Sequence, residues 1–230
     1  MSTTEQHTFK KYDKELLKLR AQVDKMGNEV SRQLQLLQSH LEEDSMQLEL
    51  DDVIDGDLSI NTLESKASRL VLKLLARRAP MGSDLRFIIA ASRMVNDLER
   101  IGDEVKTLAR SIEATGNQPL CDHEGVRITL PEMLAMAINL LNKAQLAAIN
   151  EDVDTARQML DDSLSASGTY KKRYAELMDC MRANQSTSFA AGIDTAFQAH
   201  ALKRVCDHVC NICEHIVFQV EGEDIRHEVD

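Results

Sequence analysis

Glu99 and Asp103 stand four residues apart in the segment LERIGDEVKTLARSI, Leu98 to Ile112. On a helix that spacing sets both carboxylates on one face, and Asn96 shares their polar edge. Asp57, Asn61 and Glu64 repeat the pattern at spacings of four and three. Like charges held this close repel modestly, and a cation between them would turn the repulsion into attraction. Oxygen donors of this kind suit hard or borderline cations such as Mg2+, Mn2+ or iron, not a thiolate-type zinc site. Asp57, Asn61, Glu64, Glu99 and Asp103 are therefore candidate ligands. The plainer reading makes them a solvated face, with Arg100 in an ordinary ion pair of little worth when exposed.

The same segment recurs further along the chain. LKRVCDHVCNICEHI, Leu202 to Ile216, aligns with Leu98 to Ile112 without a gap at a separation of 104 residues. Leu, Arg, Asp, Val and Ile fall at matching positions. A second pair, DLSINTL from Asp57 and SLSASGT from Ser163, aligns at 106 residues. The chain reads as a duplicated helical unit, and its copies differ where chemistry is at stake. Lys203 replaces Glu99, and Ser163 and Ser167 replace Asp57 and Asn61. Asp207, Asn211 and Glu214 remain as weaker candidates in the second copy. The expectation is that a cation, if one binds, sits in the first copy alone. Lys203 is then expected to pair with Asp207 or Glu214.

Cys206, Cys210 and Cys213 have the spacing CxxxCxxC. They project from the apolar stripe that carries Leu202, Val209, Ile216 and Val220, so they read as core residues, since buried Cys behaves as a small hydrophobe. His208 and His215 fall opposite that stripe and are expected in solvent. A ferritin-like di-iron centre would need Glu-x-x-His on two helices, and the chain contains no such motif. There is no glycine-rich phosphate cradle, zinc-protease signature or Ser/His/Asp arrangement that spacing would flag. The residues point away from an enzyme, with a carboxylate-rich metal-binding protein or metalloenzyme as the alternative.

These side chains must be held by helices. Trp is absent, aromatic residues are 3%, and Gly (9) and Pro (3) are scarce, a composition that favours helix over strand. Apolar residues recur at helical spacing in six blocks, near 9–46, 48–78, 83–114, 130–150, 152–183 and 187–221. Pro80, Gly82 and Ser83 break the second from the third. Residues 115–128 form the most loop-like stretch, and Thr129 with Glu132 has capping-box spacing. The expected fold is all-α: two tandem antiparallel three-helix bundles, residues 9–114 and 129–221, followed by a flexible tail, 222–230. The net charge of −11 disfavours a nucleic-acid partner, whose phosphates call for Lys and Arg. No apolar run approaches a membrane span, and no secretory leader is visible. The chain reads as cytoplasmic, with its five cysteines as reduced thiols.

Four stretches carry a family resemblance: MGNEVSRQLQLL, PMGSDLRFIIAA, NDLERIGDEVKTLA and CDHVCNICEHIVFQVEGEDIRH. Together they resemble the PhoU family of bacterial phosphate-uptake regulators, from about residue 9 to residue 227. The resemblance implies two three-helix bundles in a cytoplasmic, often homodimeric protein. It implies a negative regulator of phosphate uptake and phosphate-regulon signalling, acting through a phosphate ABC transporter ATPase and a sensor histidine kinase. It also implies, for some members, multinuclear metal clusters on Glu/Asp-x-x-x-Asp motifs. Glu99 and Asp103 match one motif, and Asp57 matches another with Asn61 in place of its second acid. The second copy keeps only Asp207.

Overall fold

The structure is a computed structural model and describes residues 3–43, 48–115, 120–123, 126–164, 169–183 and 189–225. Helix α1 (Thr3–Glu43), α2 (Leu48–Arg78) and α3 (Gly82–Thr115) make the first bundle. A short antiparallel hairpin follows, β1 (Cys121–His123) on β2 (Val126–Ile128), with Cys121 opposite Ile128. Helices α4 (Leu130–Asn150), α5 (Val153–Leu164), α6 (Thr169–Ala183) and α7 (Phe189–Glu221) make the second bundle. Each helix buries the apolar stripe its sequence carries. On α3 the stripe runs through Leu98, Ile101, Val105, Leu108 and Ile112, all buried. On α4 it runs through Met133, Leu134, Ala137 and Leu141.

Local chemistry explains the boundaries. Between α2 and α3 the chain reverses through Ala79 and Gly82, both at positive φ. Glycine takes that conformation freely, whereas alanine meets a steric cost. At α4 the Thr129 backbone N–H donates to Glu132 Oε2 at 3.2 Å, and Pro131 fills the first turn, where its missing N–H costs nothing.

The expected two-bundle architecture is present, with two differences. The block expected as one helix over 152–183 is two helices, α5 and α6; the residues between them, Ser167 included, lie outside the described set. The loop-like stretch holds the hairpin, and Cys121 is disulfide-bonded to Cys180 on α6. The expectation of five reduced thiols is therefore corrected to three, Cys206, Cys210 and Cys213. The reason is proximity: the hairpin folds back on α6 and brings both Cα atoms within 6.2 Å, inside the range a disulfide spans. Residues 184–186, where the sequence pattern calls for a turn, and the end of the tail also lie outside the described residues.

The two bundles meet chiefly through α3 and α7, with α1 against α4 beside them. Polar contacts fix α3 and α7 as antiparallel. Asp97 meets the 208–215 stretch of α7, Glu104 meets Arg204 at 2.9 Å, and Ser111 and Thr115 meet Gln198. The repeated segment of one copy thus lies along the repeated segment of the other.

Candidate functional site

The first-copy candidates do gather, on the facing sides of α2 and α3. Asp57 is buried at 5% exposure. Asn61 Nδ2 donates to its Oδ2 at 3.1 Å. Glu64 accepts from the Ser68 and Ser65 hydroxyls at 2.7 and 3.2 Å. Glu99 sits close enough to the rest to feel them: burial first, then the charges of Asp103, Glu64 and Asp57, push its carboxyl above the usual carboxylate range. Gly102 lets the helices close at this point, because a Cβ there would stand 2.7 Å from Ile60 Cδ1.

One residue in the cluster was not among the expected ligands. Lys106 Nζ donates to Asp57 Oδ2 at 2.5 Å. The signal was in the sequence, since Glu99, Asp103 and Lys106 lie at i, i+4 and i+7 and share a face. Among the described residues no group of three or more His, Cys, Asp or Glu side chains is placed to hold a metal ion. As arranged, the cluster does not fit a metal centre: Asp57 is engaged by an ammonium and Glu64 by two hydroxyls.

The second-copy candidates part company. Lys203 Nζ donates to Asp207 Oδ2 at 2.6 Å, the expected pair, with both side chains substantially exposed. Glu214 lies near Cys210 and Cys213. Asn211 points elsewhere and donates to Asp97 Oδ1 at 3.0 Å. Ser163 and Cys210, the counterparts of Asp57 and Lys106 in the repeat alignment, are neighbours here. They face a cavity of about 540 Å³ between α4, α5, α6 and α7, edged by Lys143, Tyr174 and Lys203. Cys206 and Cys213 are buried and Cys210 partly so. Burial pushes all three thiols up, Cys213 to about 12.

His208 and His215 overturn the expectation that they lie in solvent. Both are buried, at 7% and 5% exposure. His208 Nδ1 lies 2.9 Å from Asp97 Oδ1, and His215 Nε2 lies 2.9 Å from Asp97 Oδ2. Burial disfavours the Asp97 carboxylate, yet hydrogen bonds from His208, His215 and Asn211 outweigh it and hold the carboxyl far below its ordinary range. The cause is that α7 is buried on two sides: its stripe faces the second bundle and its opposite side faces α3. A single apolar stripe on the last helix does not mark Asp97, whose partners lie on the opposite side of α7. The presence of Val205 and Ile212, both buried, beside the histidines was the available sign of a second buried face.

The PhoU domain matches the chain twice, over residues 23–112 and 130–216. The chain belongs to the PhoU family. Among curated relatives, the phosphate-specific transport system accessory protein PhoU of Escherichia coli is 27% identical over 223 residues, covering 96% of this chain and 90% of that protein. The PhoU homolog of Xylella fastidiosa strain Temecula1 is 30% identical over 225 residues, covering 97% and 91%. Among solved structures, PhoU from Pseudomonas aeruginosa superposes with a TM-score of 0.78 at 25% identity, covering 92% of this chain and all of that one. The phosphate transport system regulatory protein PhoU from Streptococcus pneumoniae shares the fold, with a TM-score of 0.76 at 22% identity and coverage of 92% and 98%. The two PhoU-domain matches fall on the two bundles, so the duplication read from the repeated segments is the family's own architecture.

Proposed function

We propose that this PhoU-family chain restrains phosphate uptake and phosphate-regulon signalling from the cytoplasm, as a homodimer that works by contact and not by catalysis. Its partners in this reading are the ATPase of a phosphate ABC transporter and the sensor histidine kinase of the regulon. The observation that carries the proposal is the extent of the likeness. Relatives named as accessory proteins of the phosphate-specific transport system match over 96% of the chain, so the reading rests on the whole two-bundle body and not on a fragment. Two features of the structure agree with it. No described helix is long and apolar enough to cross a membrane. The long helices also carry exposed apolar side chains suited to contact, with Leu58 and Leu72 on α2 at 72% and 66% exposure and Phe197 on α7 at 61%.

The test is affinity capture of the tagged chain from phosphate-replete cells, with mass spectrometry of what it holds. The transporter ATPase and the kinase should be enriched over an untagged control. Capture of neither, with the tagged chain still able to complement a deletion, contradicts the contact mechanism.

A further inference from the structure

The acidic cluster between α2 and α3 holds four carboxylates, Asp57, Glu64, Glu99 and Asp103, and one ammonium. The ammonium sits at the deepest acid. The Asp57 side chain is 7% exposed and that of Lys106 26%. At 2.5 Å the pair is a direct charge-assisted hydrogen bond. The other oxygen, Asp57 Oδ1, is buried and makes no hydrogen bond. A buried carboxylate oxygen without a hydrogen bond, on an acid whose charge is felt by Glu99, is where a cation would be held. Lys106 answers that demand from within the chain, through the other oxygen of the same carboxylate.

The internal repeat supports this independently. Under the two alignments, Asp57 corresponds to Ser163 and Lys106 to Cys210. Ser163 and Cys210 are also neighbours across the equivalent helices, α5 and α7. Two opposite charges in one copy stand where two neutral groups stand in the other. A lone carboxylate left as deep as Asp57 is strongly unfavourable, and the ammonium of the partly exposed Lys106 offsets it.

We propose that Lys106 is a built-in counter-ion: its ammonium takes the position between α2 and α3 that a divalent cation would otherwise occupy, so the first repeat folds without metal. The side chain is tethered and always present, and a second cation entering beside it would meet its repulsion. Removing the ammonium leaves Asp57 with the Asn61 amide on Oδ2 as its hydrogen-bond partner and frees the carboxylate's charge to act with Glu99 and Asp103.

The experiment uses Mn2+ as the probe on the full chain, stripped with EDTA and dialysed. Metal content is read by mass spectrometry and the thermal midpoint is recorded with and without Mn2+. Wild type should retain no stoichiometric Mn2+, and its midpoint should move with neither chelator nor metal. Lys106→Arg should behave the same way. Lys106→Met keeps the aliphatic stem and loses the charge. It should bind about one Mn2+ per chain, at least ~10-fold tighter than wild type, because a repelling charge within a few ångströms has gone. Its midpoint should rise with Mn2+, and adding Asp57→Asn should abolish both effects. Isolation of Lys106→Met in folded form only when Mn2+ is present also supports the proposal. Stoichiometric Mn2+ on wild type that Glu99→Ala with Asp103→Ala removes would overturn it. So would a Lys106→Met protein that binds no better than wild type, or one that is unfolded with and without Mn2+.

Discussion

Asp97 holds two buried imidazoles and one partly buried amide at the seam between the bundles. Its replacement by Ala strands all three there. Buried donors left without an acceptor cost about 1–3 kcal/mol each, only partly recovered by relaxation. Asp97→Ala should lower stability by roughly 2–4 kcal/mol on that scale, measured as a fall in the urea midpoint. The pH dependence has a definite sign. The folded-state pKa of Asp97 is depressed, so its stabilisation is fully present above the unfolded carboxylate value near ~4 and drains away as pH falls below it. Asp97→Asn should therefore flatten the acid limb of a stability-versus-pH profile. An acid limb as steep as that of wild type would show that Asp97 does not carry this stabilisation. Gly102 offers a second residue-scale test. A methyl group there must displace Ile60 Cδ1, so Gly102→Ala should cost about 1–3 kcal/mol as an overpacked contact. Ile60→Val in the same chain should recover part of it, whereas no recovery would place the strain elsewhere. By contrast Lys203→Ala should change little, within about 1 kcal/mol, since exposed ion pairs contribute little.

At the scale of elements, the helices were legible because an apolar stripe at helical spacing is a strong signal. The block at 48–78, the start of the fourth block near 130 and the end of the last block coincide with α2, α4 and α7. The capping box at Thr129 was legible for the same reason, being a local pattern of local hydrogen bonds. What escaped was everything set by a distant neighbour. The interior face of α7 that carries His208 and His215 is buried only because α3 of the other repeat lies on it. The hairpin is three residues a side, too short for alternation to show. The Cys121–Cys180 bond joins positions 59 apart in sequence, a pairing that spacing alone does not specify. A cross-link closing a loop of that length is worth about 4 kcal/mol in the chain-entropy account. The midpoint of the oxidised protein should therefore fall on reduction, and Cys180→Ser should abolish the difference between the two states. Equal midpoints for oxidised and reduced wild type would count against the tether. The remaining thiols separate by burial. Cys206 and Cys213 should react with an aromatic disulfide reagent only as fast as the bundle opens, with Cys210 ahead of them at its partly exposed position. Equal fast labelling of all three would contradict the packing of α7.

For the whole molecule, the duplication matters most where it is imperfect. The two bundles share a frame, and their third helices lie antiparallel against each other, yet the polar chemistry differs in each copy. The first holds an acidic cluster closed by Lys106. The second holds a neutral pair, an exposed Lys203–Asp207 bridge and an open cavity. Likeness to phosphate-specific transport system accessory proteins extends over nearly the full chain, both copies included. In the function proposed above, this body restrains phosphate uptake. The measurement that bears on it most directly is the initial rate of radiolabelled phosphate uptake in phosphate-replete cells, compared between the parent, a deletion of this gene and the deletion complemented with the wild-type chain. The rate should rise in the deletion and return to the parental value on complementation. An unchanged rate in the deletion, in cells with no second PhoU-family gene, would contradict that function.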